Sequence, residues 1–164
     1  MYGVDGAERL KLRTYPASEL LPADDADLAA AGWRRLHAPG VKGFDAALPP
    51  LLVRPAGAGM AEARVELGAH SLNSAGWLHG GYLASMAEIT LFLPLFLHGR
   101  VSSAGAMTVD FSVQFLAGGG NDVPLIASIE LLKETGRMGF ARGIMTQDGN
   151  RILAYSGTLR KLSA

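Results

Sequence analysis

Residues 71–92, SLNSAGWLHGGYLASMAEITLF, hold the residue types and spacing best suited to chemistry in this 164-residue chain. Gly80-Gly81 opens a helical pattern. Two glycines at a helix start let a ligand approach bare backbone N–H groups, at the positive end of the helix dipole. Eight residues beyond Gly80, Glu88 falls in an otherwise apolar helix, with Ala84, Ser85, Leu91 and Phe92 as its turn neighbours. A carboxylate there costs free energy to bury unless it is paired or used. A solvent-facing or arginine-paired Glu88 is the competing reading.

Other chemistries lack their residues. With no cysteine there is no disulfide, thiolate nucleophile or zinc–sulfur site. No G-x-S-x-G elbow occurs, and Gly118-Gly119-Gly120 lacks the Lys-Ser/Thr of a phosphate loop, so it reads as a loose hairpin loop. The four histidines, 37, 70, 79 and 98, show no metal-ligand spacing, and no metal is expected. Fifteen basic and fifteen acidic residues balance, so neither nucleic acid nor an anionic membrane is implied as a partner.

The elements that must position Gly80 and Glu88 follow from periodicity and turn chemistry. Residues 1–23 have no clear period. Asp24, Asp25 and Asp27 before LAAAGWRRLHAPG predict a short helix closed by Arg34, Arg35 and His37. Residues 40–55 read as a connector. MAEARVELGAH alternates, with Ala61, Ala63, Val65 and Leu67 on one face, and predicts a strand. A helix is predicted over 79–93, ending or kinking near Pro94. In AMTVDFSVQFL, strict alternation places Met107, Val109, Phe111, Val113 and Phe115 on one face and Thr108, Asp110, Ser112 and Gln114 on the other. PLIASIELL, MGFARGIMT and RILAYSGTLR follow as strands, joined by turns at Glu134-Thr135-Gly136 and Asp148-Gly149-Asn150. Turn-linked strands form an antiparallel sheet whose apolar face one greasy helix must cover: an α+β fold. The start lacks an apolar signal core, and Ile89–Leu97, broken by Pro94, is short of the ~20 residues of a span, so a cytoplasmic protein with no membrane partner is expected.

Asn73, Gly76, His79-Gly80-Gly81 and the acid at Glu88 resemble the N-x-x-G-x-x-H-G-G-x-x-x-x-x-x-D/E signature of hotdog-fold acyl-coenzyme A thioesterases, of the phenylacetate-pathway and human thioesterase-superfamily type. The resemblance extends through Met107–Phe111, the Phe115-Leu116 strand end, Gly136-Arg137, Asp148-Gly149, Ala154 and Gly157-Thr158. It implies a hotdog domain over residues 43–164, a sheet wrapped around one central helix, preceded by an N-terminal extension, 1–42, with a short helix. It further implies that the Gly80 N–H polarises a thioester carbonyl and that Asn73 orients it. Glu88 would act as general base or as nucleophile. Thr108 would help hold water, while His79 and Gly81 support the loop. The acid is Glu where that type has Asp, as in an aryl-coenzyme A subgroup, and Phe92 stands where that subgroup keeps a threonine.

Trp77, Leu78, Tyr82, Phe92 and Phe96 are candidates to line an aryl or medium-chain acyl pocket, or simply to pack the helix on the sheet. Arg137, with Arg142 and Lys133, could meet coenzyme A phosphates. Coenzyme A would enter as part of the substrate, with no resident cofactor. Gly80 and Glu88 lie about 12 Å apart along one helix, too far for one carbonyl to meet both. The minimal active unit is therefore expected to be a homodimer, with a homotetramer as the assembly. A non-catalytic acyl-coenzyme A-binding protein is the alternative; it would keep Asn73 and Gly80 without needing Glu88.

Overall fold

The computed structural model describes residues 20–36, 43–101 and 105–162. The helix expected after Asp24 is a short one, α1 (Ala26–Ala30), capped by the Asp25 carboxylate, which accepts the N–H groups of Asp27 and Leu28. It stops early because Gly32 takes a left-handed conformation (φ 85°) and turns the chain. Trp33 is then buried, and Arg34 and Arg35 lie in a strand instead of closing a helix. His37 falls outside the described residues.

Strands β1 (Leu20–Pro22), β2 (Arg34–Leu36) and β3 (Leu51–Pro55) form one side of the sheet. The described part of the N-terminal segment thus continues the sheet of the following domain. The segment expected to be a connector contains β3, whose Leu51 and Val53 are buried. β4 (Met60–Val65), β5 (Ala106–Phe115), β6 (Leu125–Glu134), β7 (Met138–Gln147) and β8 (Asn150–Lys161) complete eight antiparallel strands in the order β1-β2-β3-β4-β6-β7-β8-β5. The Asp148-Gly149 turn has both residues at positive φ (46° and 79°), the conformation a two-residue hairpin requires.

Across the inner face lie α2 (Gly80–Thr90) and α3 (Leu93–Leu97), separated where Pro94 enters the first turn of α3. Met86, Ala87, Leu91 and Leu95 are fully buried against Val53, Ala63, Val65, Ile129 and Leu153. The helix approaches closely because Gly157 has no side chain: a Cβ there would lie 2.7 Å from Leu91 Cδ1. At the C-terminal end of α2, Thr90 hydrogen-bonds the Tyr155 hydroxyl at 2.7 Å, and burial pushes that phenol well above its ordinary range.

β5 does not keep the strict alternation expected of it. A bulge between Thr108 and Asp110 inserts an extra residue and shifts the phase. Phe111 and Val113 face the helix as expected, but Thr108 joins that face, while Met107 and Val109 are exposed.

Candidate active site

The start of α2 is built by two loops. Asn73 closes the first: its Oδ1 accepts the N–H groups of Ala75 (2.9 Å) and Trp77 (3.2 Å), and its own N–H donates to the Trp77 carbonyl (2.7 Å). The next two N–H groups are anchored, Leu78 on the Gly119 carbonyl and His79 on the Ser71 carbonyl, both at 2.8 Å. His79 caps the helix, its Nδ1 accepting from the Gly81 N–H at 2.9 Å, which leaves the ring proton on Nε2. The Leu83 N–H returns to the His79 carbonyl. Gly80's N–H has no hydrogen-bond acceptor among the described residues. Asn73, His79 and Gly81 therefore hold in place the unpaired donor at Gly80.

Glu88 is half-buried, and its Oε1 accepts a hydrogen bond from the Thr108 hydroxyl. Among the described residues no arginine or lysine forms an ion pair with it. The β5 bulge makes this contact possible by turning Thr108 inward. Helix α2 runs antiparallel beside β5: its Gly80 end meets the Phe115 ring and its Glu88 end meets Thr108. Among the described residues β5 is an outermost strand, paired only with β8, so one edge of its backbone has no described strand partner.

The candidate lining residues separate in space. Trp77 (56% exposed) packs over Gly118 near the helix start, and Phe115, equally exposed, stands beside Gly80. Tyr82 lies edge-on to His70; its hydroxyl is buried without a hydrogen-bond partner among the described residues, and burial raises its pKa. Phe92 packs against the core. Arg137 sits in the β6–β7 turn, at the end of the sheet where Met138, Arg160 and Met107 align, hence on the Glu88 side. Arg142 is paired with Glu130 at 2.8 Å, and the inward-facing Ala141 and Gly143 that flank it place it on the sheet's outer face, away from α2. Phe115, which the sequence marked only as the strand end shared with the resembled family, was not among the expected lining residues, yet it stands beside Gly80. Sequence reasoning also took the triple glycine for a loose loop. Gly119 is buried, and that loop is wedged between Leu78 and Gln147. No cluster of three potential metal ligands occurs among the described residues.

An antiparallel sheet wrapped over a central helix, with the helix entry beside the edge strand, defines a hotdog fold. Solved structures agree. The chain is similar to zebra fish thioesterase superfamily member 2 (TM-score 0.65, 19% identity, covering 75% of this chain and 89% of that one). It is also similar to a hypothetical thioesterase from Streptococcus pneumoniae solved with coenzyme A (TM-score 0.64, 20% identity, 73% and 91% covered). A Streptococcus mutans protein bound to acetyl-CoA superposes with a TM-score of 0.64 at 17% identity, over 77% of this chain and 97% of that one. No protein-family model and no curated protein sequence matches the chain.

Proposed function

We propose that this protein hydrolyses acyl-coenzyme A thioesters to the free acid and coenzyme A. The observation that carries the reading is one helix bearing an unpaired N–H at Gly80 and a half-buried carboxylate at Glu88, the latter held by Thr108. The hotdog relatives that hold coenzyme A or acetyl-CoA support the ligand class. The Gly80 N–H receives the negative charge that develops on the thioester oxygen, a contribution of about 2.7–4 kcal/mol in other enzymes. Glu88 either takes a proton from the attacking water or attacks the carbonyl itself, forming an anhydride that water then opens. In both routes the C–S bond breaks, the sulfur leaves as thiolate, and the thiolate takes up a proton. Thr108 fixes the carboxylate, and Asn73 and His79 fix the N–H.

The site is shared between two chains. A single α2 keeps its two groups about 12 Å apart. Antiparallel pairing about a two-fold axis brings Gly80 of one copy to Glu88 of the other, and the edge of β5 that no described strand covers is the surface available for it. Trp77, Tyr82 and Phe115 then border the acyl group, and Arg137 is placed for a coenzyme A phosphate. The substrate brings its own coenzyme A, and the reaction belongs in the cytoplasm.

A thiol-release assay over short, branched, aromatic and long acyl-coenzyme A thioesters tests the reading. Turnover abolished by Glu88→Gln is expected; tight binding of these thioesters without turnover overturns it in favour of a binding protein.

A further inference from the structure

Gln147 closes β7 immediately before the Asp148-Gly149 turn and is only 5% exposed. A polar side chain so buried must be satisfied. Its Nε2 donates to two backbone carbonyls, Gly120 and Val123, each at 2.9 Å. These bonds strap down the loop between β5 and β6. From that strapped loop the Gly119 carbonyl accepts the Leu78 N–H, two residues before Gly80. The packing has no slack: a Cβ on Gly119 would lie 2.2 Å from Gln147 Oε1 and 2.9 Å from Leu78 Cδ1.

We infer that Gln147 is a positioning residue for the Gly80 N–H, acting through Gly119 and Leu78; the inference rests on the reading of Gly80 as the carbonyl-polarising donor. Gln147 touches no reacting atom. If its two donors are lost, the loop relaxes, the Gly119 carbonyl shifts and the entry to α2 moves with it. A displacement near 1 Å at such a donor can cost about 10²-fold in rate.

Gln147→Met keeps the length and removes both donors. We expect kcat to fall about tenfold with KM within about twofold, since the displaced N–H acts on charge that develops only in the transition state. Gly119→Ala, pressing on the same contact from the other side, is expected to do the same. Gln147→Glu gives a signature that simple destabilisation does not. Neutral, its carboxyl still donates to one carbonyl; ionised, it donates nothing and repels both. Burial raises its pKa, so its kcat relative to the parent is expected to fall as pH rises, whereas the Gln147→Met ratio stays flat.

Hydrogen exchange at the Leu78 amide reads the same coupling without catalysis. It is expected to speed up about tenfold in Gln147→Met while the central amides of β6 and β8 keep their rates. Unchanged exchange at Leu78, uniform acceleration through the sheet, or an unchanged kcat in an active protein overturns the inference. Should the parent hydrolyse no thioester, the proposed reaction fails, and the exchange measurement alone decides the role of Gln147.

Discussion

Thr108 and Glu88, twenty residues apart, are hydrogen-bonded across the boundary between β5 and α2, because a bulge turns the threonine to the face that plain alternation denies it. The contact holds the carboxylate on the side of the helix beside the open sheet edge. Glu88→Gln keeps the volume and removes base and nucleophile, so kcat is expected to fall by about 10² or more with the fold retained. Thr108→Val leaves the carboxylate in place but unanchored, and a smaller loss, about tenfold, is expected. Steady-state thioester hydrolysis with circular dichroism checks both; near-parental turnover by Glu88→Gln removes Glu88 from the reaction.

Mixing two variants, each expected to be inactive, tests the proposed sharing of the site between two chains. Glu88→Ala removes the carboxylate, and Asn73→Ala releases the turn that sets the Gly80 N–H. In a mixed dimer one site loses both groups and the other keeps both. With random pairing of equal amounts, about a quarter of all sites regain activity. No recovery, with subunit exchange confirmed by mass spectrometry, places the whole site within one chain.

The N-terminal strands are clamped by Arg54. Its guanidinium lies 4.4 Å from the centre of the Trp33 ring, pairs with Glu62 at 2.7 Å and donates to the Ala31 carbonyl at 2.9 Å. Arg54→Ala is expected to cost about 1–2 kcal/mol, combining a cation–π contact with a partly exposed ion pair. The melting temperature should fall by about 3–6 °C. Arg54→Lys should recover little, because a point charge cannot fill the planar, three-way position. A change within about 1 °C for Arg54→Ala would show that the clamp is not structural.

Glu134 accepts hydrogen bonds from Lys161 (2.6 Å) and Arg100 (2.8 Å), tying together the ends of β6, β8 and the chain after α3. The Lys161 bond foremost holds its carboxyl below the usual range. Its folded pKa is depressed, so its contribution is present above the unfolded carboxylate value of about 4.3 and is lost as pH falls through the folded value. Glu134→Gln should therefore melt earlier than the parent at neutral pH, with the gap closing in acid. Thermal melts from pH 7 to about pH 3 follow it; a constant gap contradicts the assignment.

The local features of this fold were legible in the sequence. Helix α2, its glycine entry and its break near Pro94 follow from residues within a few positions of one another. The same holds for β4 to β8 and the Asp148-Gly149 turn. Backbone preference and side-chain periodicity act over that range, so the antiparallel strands from β4 onward and their covering helix could be read directly, whereas β1, β2 and β3 were not. Arg34 and Arg35 misled because basic residues after an acidic start mimic a helix end; a strand partner more than ten residues on, β3, claims them instead.

What decides the site is not local. The β5 bulge that brings Thr108 to Glu88, the burial of Gly119 between Leu78 and Gln147, and the contacts of Arg54 with Trp33 and the Ala31 carbonyl each join residues about twenty or more positions apart. Sequence alone set which groups this chain can offer: a helix-entry N–H, a carboxylate in an apolar helix and a glycine-rich loop. Tertiary packing decided which of them meet, because a hydrogen bond or a missing Cβ takes effect only once the sheet has brought its partner within about 3 Å.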